Sequence, residues 1–219
     1  ADIGAPQVAY KESIKKQANG EGKFIKQTGG RGQYGHVILD VLPQETGKGF
    51  EFESKVVGGR IPKEFIPSVE KGVKNLFDTG VVGGYPVVDI KVVLLDGSYH
   101  DVDSSDVAFQ VAASYAIKEA FKIASPTILE PIMDVEVECP EDNMGDVISD
   151  LNSRQGKIEL MDASKSSGFK LVKAKVPLGK MFGYATTLRS RTKGRGIYNM
   201  TFYGYSDVPK QLYAELTQN

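Results

Sequence analysis

Glu141-Asp142-Asn143-Met144-Gly145-Asp146-Val147-Ile148-Ser149-Asp150-Leu151-Asn152-Ser153-Arg154 sets Met144, Val147, Ile148 and Leu151 at i, i+3, i+4 and i+7, the spacing of one helix face. Gly156 is placed to stop that helix. Upstream, residues 132–138 read as a strand closed by Pro140. Downstream, residues 157–161 and 169–176 read as a hairpin around Ser166-Ser167-Gly168. A second helix is expected over 179–191, burying Met181, Phe182, Ala185 and Leu188, and a last strand over 197–203. The order βαββαβ is the split βαβ, or ferredoxin-like, arrangement. A short tail helix over 209–217 follows.

Ahead of Ser125-Pro126, where the chain is expected to divide, the order differs. Residues 23–27 and 34–42 read as strands, the second alternating around Val37, Leu39 and Val41. Residues 50–57 continue the pattern with Phe50, Phe52 and Val56 inward. A helix follows the Pro62 and Pro67 punctuation, with Val69, Val73, Leu76 and Phe77 on one face and Gly80 as its stop. Residues 87–95 form a β-branched strand ending at Asp96-Gly97. A long helix over 105–123 is expected to bury Val107, Ala108, Val111, Ala112, Tyr115 and Ala116, capped by Ser104 or Ser105 with Asp106 in its first turn. The chain thus reads as α+β, with two α/β-sandwich domains over 1–125 and 126–219, the tail helix counted with the second.

At 219 residues and 41% hydrophobic content the chain has material for two cores. Its apolar runs, such as Val92-Val93-Leu94-Leu95, are too short for a membrane span. The start, Ala1-Asp2-Ile3-Gly4, lacks the pattern of a signal peptide; the missing Met suits either processing or an excised piece of a longer protein. A lone Cys139 leaves no internal disulfide and suits a reducing cytosol.

The net charge of −1 argues against wholesale coating by nucleic acid, yet charge is segregated. Residues 130–162 carry ten acids and two bases, Arg154 and Lys157. Residues 163–206 carry nine bases and no acid, with Arg189, Arg191, Lys193 and Arg195 close together. Such a run is either a phosphate footprint or a solvated basic strand and helix.

Two strand connections stand out. Gly29-Gly30-Arg31-Gly32-Gln33-Tyr34-Gly35-His36 has four glycines in seven residues, which lets a backbone press close to another molecule. Arg31 offers a planar fork for phosphate or a guanine edge and Tyr34 a stacking face; a glycine-rich hairpin that merely turns is the plainer alternative. No P-loop pattern occurs, so GTP is not an expected ligand of this chain. Asp96-Gly97-Ser98-Tyr99-His100-Asp101-Val102-Asp103-Ser104-Ser105-Asp106 carries many hydrogen-bonding groups and exposes a histidine beside residues suited to helix capping. It lacks the Gly and Glu of an EF-hand. Two histidines and one cysteine argue against zinc, and a Ser-His-Asp triad would lack a nucleophile elbow.

These two blocks, together with Gly84-Tyr85-Pro86-Val87-Val88-Asp89, Leu129-Glu130-Pro131-Ile132-Met133, Met181-Phe182-Gly183-Tyr184-Ala185-Thr186 and Thr192-Lys193-Gly194-Arg195-Gly196, resemble the signatures of bacterial elongation factor G, a family of translational GTPases. The resemblance runs in order over essentially all 219 residues and corresponds to the family's fourth and fifth domains, with the GTPase domain, its neighbour and the third domain absent. It implies a ribosomal-protein-like sheet with packed helices for the first domain and a ferredoxin-like second domain. It implies a cytoplasmic, monomeric piece that binds both ribosomal subunits and no membrane. The full-length parent would use GTP and Mg, while this part would hold no cofactor, no metal and no catalytic residue. By position, Gly29, Gly30, Arg31, Gly32, Gln33, Tyr34 and Gly35 with Ser98, Tyr99, His100, Asp101 and Asp103 would form a tip contacting tRNA and mRNA in the decoding region, His100 foremost. Arg189, Arg191, Lys193 and Arg195 are the candidates for rRNA contact. Arg191 and Gly196-Ile197 depart from the commonest pattern and residues 44–49 are short, which leaves open a ribosome-recycling paralogue or a ribosome protection protein. An independent RNA-recognition module is a further alternative, although Phe169-Lys170-Leu171-Val172-Lys173-Ala174-Lys175-Val176 lacks the aromatic ribonucleoprotein signature.

Overall fold

The computed structural model describes residues 8–27 and 32–218. Their contacts fall into two units, one of Lys11–Ile128 with the chain from Val208 onward, the other of Leu129–Asp207 with Val8–Tyr10. No described helix is long and apolar enough to cross a membrane.

The first unit begins with β1 (Lys11–Ile14), a short strand that the sequence pattern leaves unassigned. Next come β2 (Ala18–Lys26), β3 (Gln33–Pro43), β4 (Phe50–Ser54), α1 (Ile66–Thr79), β5 (Ile90–Ser98) and α2 (Asp106–Ile123). A four-stranded sheet runs β2-β3-β5-β4, antiparallel except for the β4–β5 pair. The parallel pair requires a crossover, and α1 supplies it. Val69, Val73 and Phe77 of α1 are buried, Leu76 packs beside them, and Gly80 at φ +93 ends the helix as expected. The sequence places β5 over 87–95; it starts and ends three residues later. Asp89, at φ +59, breaks the extended run, and its carboxylate accepts from Gly47 N and Gly49 N at 3.1 and 2.9 Å. Beyond Leu95 the strand continues instead of turning at Asp96-Gly97.

Helix α2 lies on the sheet through a seam of small residues. A Cβ on Gly20, Gly22 or Gly35 would sit 2.0, 1.9 or 2.5 Å from the carbonyl oxygens of Ala116, Ala112 and Ala108. This contact turns the helix from its expected orientation. Ala108, Ala112 and Ala116 are buried as anticipated, but Val107 and Tyr115 are 58% and 42% exposed. Phe109, Ala113, Ile117 and Phe121 face inward instead, where Phe109 stacks on Phe65 and Phe121 meets Phe77 of α1.

The chain passes into the second unit within β6 (Pro126–Pro140) and continues through α3 (Met144–Ser153), β7 (Lys157–Ala163), β8 (Phe169–Pro177), α4 (Tyr184–Arg191) and β9 (Ile197–Asp207). Strands β9-β6-β8-β7 lie in that order, each of these pairs antiparallel, in a five-stranded sheet whose remaining strand, β1, pairs with β6. Two helices with that order make the ferredoxin-like fold, so the molecule is α+β as the sequence indicated. Its core holds Val135, Val137, Val147, Leu151, Val172, Val176, Met181, Tyr184 and Leu188. Phe182 and Ala185, expected inside, are exposed. Gly183 at φ +76 interrupts the helix there, so α4 starts at Tyr184 and turns that ring inward. Helix α5 (Lys210–Thr217) groups with the first unit, whereas its place in the sequence suggests the second; a Cβ on Gly83 would sit 2.9 Å from Leu216 O.

Candidate nucleic-acid interface

The register of β3 against β5 brings the two singled-out connections together. Ile38 pairs with Asp96 and Leu39 with Leu94, so Leu95 is an extra, bulged residue. That bulge sets Ser98 opposite His36. A glycine is required at 97, because a Cβ there would sit 2.2 Å from His36 O and 2.6 Å from Ile61 Cδ1. Tyr34 N then donates to Asp103 O at 2.9 Å, and a Cβ on Gly32 would sit 3.3 Å from Asp103 Cγ.

The turn after β5 is folded on itself. His100 N donates to Ser104 Oγ at 2.9 Å, and Ser104 N donates back to His100 O at 3.1 Å. Ser105 caps α2 by accepting from Ala108 N at 3.1 Å. His100, Asp101 and Tyr99 are exposed, whereas Ser98, Asp103, Gly32 and Gln33 are half-buried. The His100 imidazole stacks on the Tyr34 ring, centroids 3.8 Å apart and planes 9° apart.

Two features of the sequence reading change. Tyr34 is 5% exposed: one ring face meets His100 and the Lys23 ammonium lies 5.6 Å from the centroid, so it is not an open platform for a base. Gly35 is buried under α2 and serves helix packing, not approach by an outside molecule. Gly29, Gly30 and Arg31 lie outside the described residues.

A third segment, missed in the sequence, reaches the same end of the sheet. Residues 55–62 carry Gly58 and Gly59 in left-handed conformation, at φ +64 and +67, with Val57 76% exposed. Ile61 is buried on Gly97, and Arg60 Nε donates to Asp96 Oδ1 at 3.0 Å. That bond, with help from the Gly97 amide, holds the Asp96 carboxyl below the usual carboxylate range. The available signal was the triplet Gly58-Gly59-Arg60, which repeats Gly29-Gly30-Arg31.

Arg189, Arg191, Lys193 and Arg195 are all exposed at the end of α4 and the turn after it. Lys193 and Gly194 take positive φ there, and Gly194 N donates to Arg189 O at 2.8 Å. Among the described residues no carboxylate lies within ion-pair distance of Arg189, Lys193 or Arg195; Arg191 lies 3.9 Å from Asp150 Oδ1. Part of the acid-free stretch is neutralised by pairing across the sheet. Lys175 meets Glu159 and Asp134 at 2.8 and 3.0 Å, and Lys173 meets Glu136 at 3.4 Å. The hydrogen bonds that Lys175 donates, to Glu159 first and Asp134 second, hold its ammonium above its ordinary range. Among the described residues the α4 end therefore keeps Arg189, Lys193 and Arg195 close together with no ion-pair partner.

Arg154 fixes the other end of α4, where the helix starts. It donates to Asp150 Oδ2 at 2.9 Å, to Lys180 O and Phe182 O at 2.8 and 3.0 Å, and to Thr187 Oγ1 at 3.1 Å. Its guanidinium also lies 5.1 Å from the centroid of the buried Tyr184 ring. Burial pushes the Tyr184 phenol up.

The family model for elongation factor G, domain IV matches residues 6–125, and that for the elongation factor G C-terminus matches residues 127–216. Elongation factor G of Aquifex pyrophilus is 63% identical over 211 residues, covering 96% of this chain and 30% of the relative. A crystal structure of a Thermus thermophilus protein superposes with a TM-score of 0.79 at 41% identity, covering 99% of this chain and 32% of that one. The chain thus spans under a third of the length of these relatives. Matched along both halves, it belongs to the elongation factor G family.

Proposed function

We propose that these residues are the ribosome-facing portion of a translation factor that promotes GTP-dependent movement of tRNA and mRNA. Bases and sugar-phosphate approach the end of the first unit, where His100, Tyr99 and Asp101 are presented. The Arg189–Arg195 cluster takes rRNA phosphate on the second unit, contributing affinity without sequence specificity. No bond is made or broken by these groups; they act by binding one arrangement of the ribosome better than another. Hydrolysis of Mg-bound GTP belongs to the longer parent, a cytoplasmic factor, and this part works as a monomer without a cofactor. The observation that carries the proposal is the exposed His100 imidazole stacked on Tyr34 where Gln33-Tyr34 meets the turn after β5. The 63% identity to an elongation factor G favours the translocase over a recycling or protection relative.

A tethered probe tests it. Val107, in the first turn of α2, is 58% exposed, whereas Cys139 is buried and burial holds its thiol above the usual range. In the longer factor, with cysteines outside these residues replaced, a Val107→Cys variant therefore takes an iron chelate selectively. Cleavage of decoding-region RNA in ribosome complexes is expected, and cleavage confined to other RNA regions would contradict the proposal.

A further inference from the structure

We infer that Glu21, His36, Ser98 and Tyr34 form a partly buried positioning relay that sets the plane of the His100 ring; its use in translation rests on the function proposed above. His36 Nε2 lies 2.6 Å from Glu21 Oε1, His36 Nδ1 lies 2.7 Å from Ser98 Oγ, and Ser98 Oγ lies 2.6 Å from Tyr34 OH. The inventory of protons gives this chain a direction. A carboxylate only accepts, so Nε2 of the neutral imidazole carries the proton given to Glu21 and Nδ1 is left as an acceptor. Ser98 donates to Nδ1. Having one proton, Ser98 then accepts from the Tyr34 hydroxyl. Each group occupies the role its neighbour requires.

Position in the fold makes the relay a mechanical support. Glu21 is on β2, His36 and Tyr34 on β3, and Ser98 at the end of β5, so it bridges three strands at the end where the turn begins. His36 is only 13% exposed at its side chain, while Glu21 is 61% exposed. The relay anchors the Tyr34 phenol at one end, and the stack at 3.8 Å transmits that anchoring to His100. His100 is otherwise an exposed side chain on a turn and would sample several rotamers, an entropy cost to be met on binding. The relay meets that cost in advance. Tyr34, Ser98 and His36 are therefore positioning residues that act through His100.

The test uses two readouts. In the 219-residue chain the His100 ring protons are expected to resonate upfield, in the shielding zone of the Tyr34 ring. Ser98→Ala, Tyr34→Phe and His36→Gln are each expected to reduce that displacement while the amide spectrum stays folded. Ser98→Thr, which keeps the hydroxyl, is expected to restore it. Unshifted His100 signals in the parent chain, or signals that Ser98→Ala and His36→Gln both leave in place, would overturn the inference. In the longer factor, Ser98→Ala is expected to slow translocation by roughly five- to tenfold, the scale of one hydrogen bond, with GTP hydrolysis retained. A His100 signal that moves while translocation does not would leave the relay standing and overturn the function on which its use rests.

Discussion

With one face against His100 and its hydroxyl bonded to Ser98, the Tyr34 ring is part of the support, and the proposed contact with RNA rests on the exposed His100, Tyr99 and Asp101. Glu12 shows the same dependence on burial. It is fully buried, and its two carboxylate oxygens accept from the amides of Val81, Val82, Gly83 and Tyr85 at 2.8–2.9 Å. This carboxylate shapes the segment between α1 and β5. Glu12→Gln turns an NH2 toward amides that need an acceptor, so a loss of about 2–4 kcal/mol is expected in urea unfolding; a loss below about 1 kcal/mol would show the bonds to be dispensable. Nothing in Lys11-Glu12-Ser13-Ile14 announces this, because partners about 70 residues away are invisible to local pattern. His36 and Ser98 are legible as members of unusual motifs, but their meeting is not. It depends on the bulge at Leu95, which shifts the pairing by one residue and leaves no mark on the hydrophobic alternation.

At the scale of elements, the contact between α2 and the sheet is made by what is missing from Gly20, Gly22 and Gly35. A methyl at Gly22 would lie 1.9 Å from a backbone carbonyl oxygen that belongs to a helix and has little freedom to retreat. Gly22→Ala is expected to cost about 3 kcal/mol. Gly145, inside α3, has open space within 4 Å of where a methyl would point and no unusual φ, so Gly145→Ala should gain about 0.5–1 kcal/mol. Urea midpoints of the two variants moving in the same direction would contradict the packing described. The helices and most strands are legible because their apolar periodicity is strong. The face of α2 is misjudged at Val107 and Tyr115 when large side chains are counted as core, whereas an alanine–glycine seam sets the rotation of this helix. Likewise a buried Phe182 follows only from continuing the helix across Gly183, a residue whose left-handed backbone breaks the helical phase.

Across the molecule, a near-zero net charge conceals the exposed cations at the end of α4, while pairing of β6 and β7 with β8 neutralises Lys173 and Lys175. Linear sequence exaggerates the basic stretch because strand pairing sets acids beside it. Neutralising Arg189, Arg191, Lys193 and Arg195 together in the longer factor should weaken ribosome binding and reduce the slope of log affinity against log salt by about 2–4. An unchanged slope would remove this cluster from the interface. The first unit makes a different kind of contribution, through one presented imidazole and not through net charge. The most direct measurement is rapid kinetics of His100→Ala in the longer factor, with translocation and GTP hydrolysis followed in the same ribosome complexes. Translocation slowed by about tenfold or more with hydrolysis nearly unchanged is the expected result. Equal loss of both, or loss of neither, would contradict it.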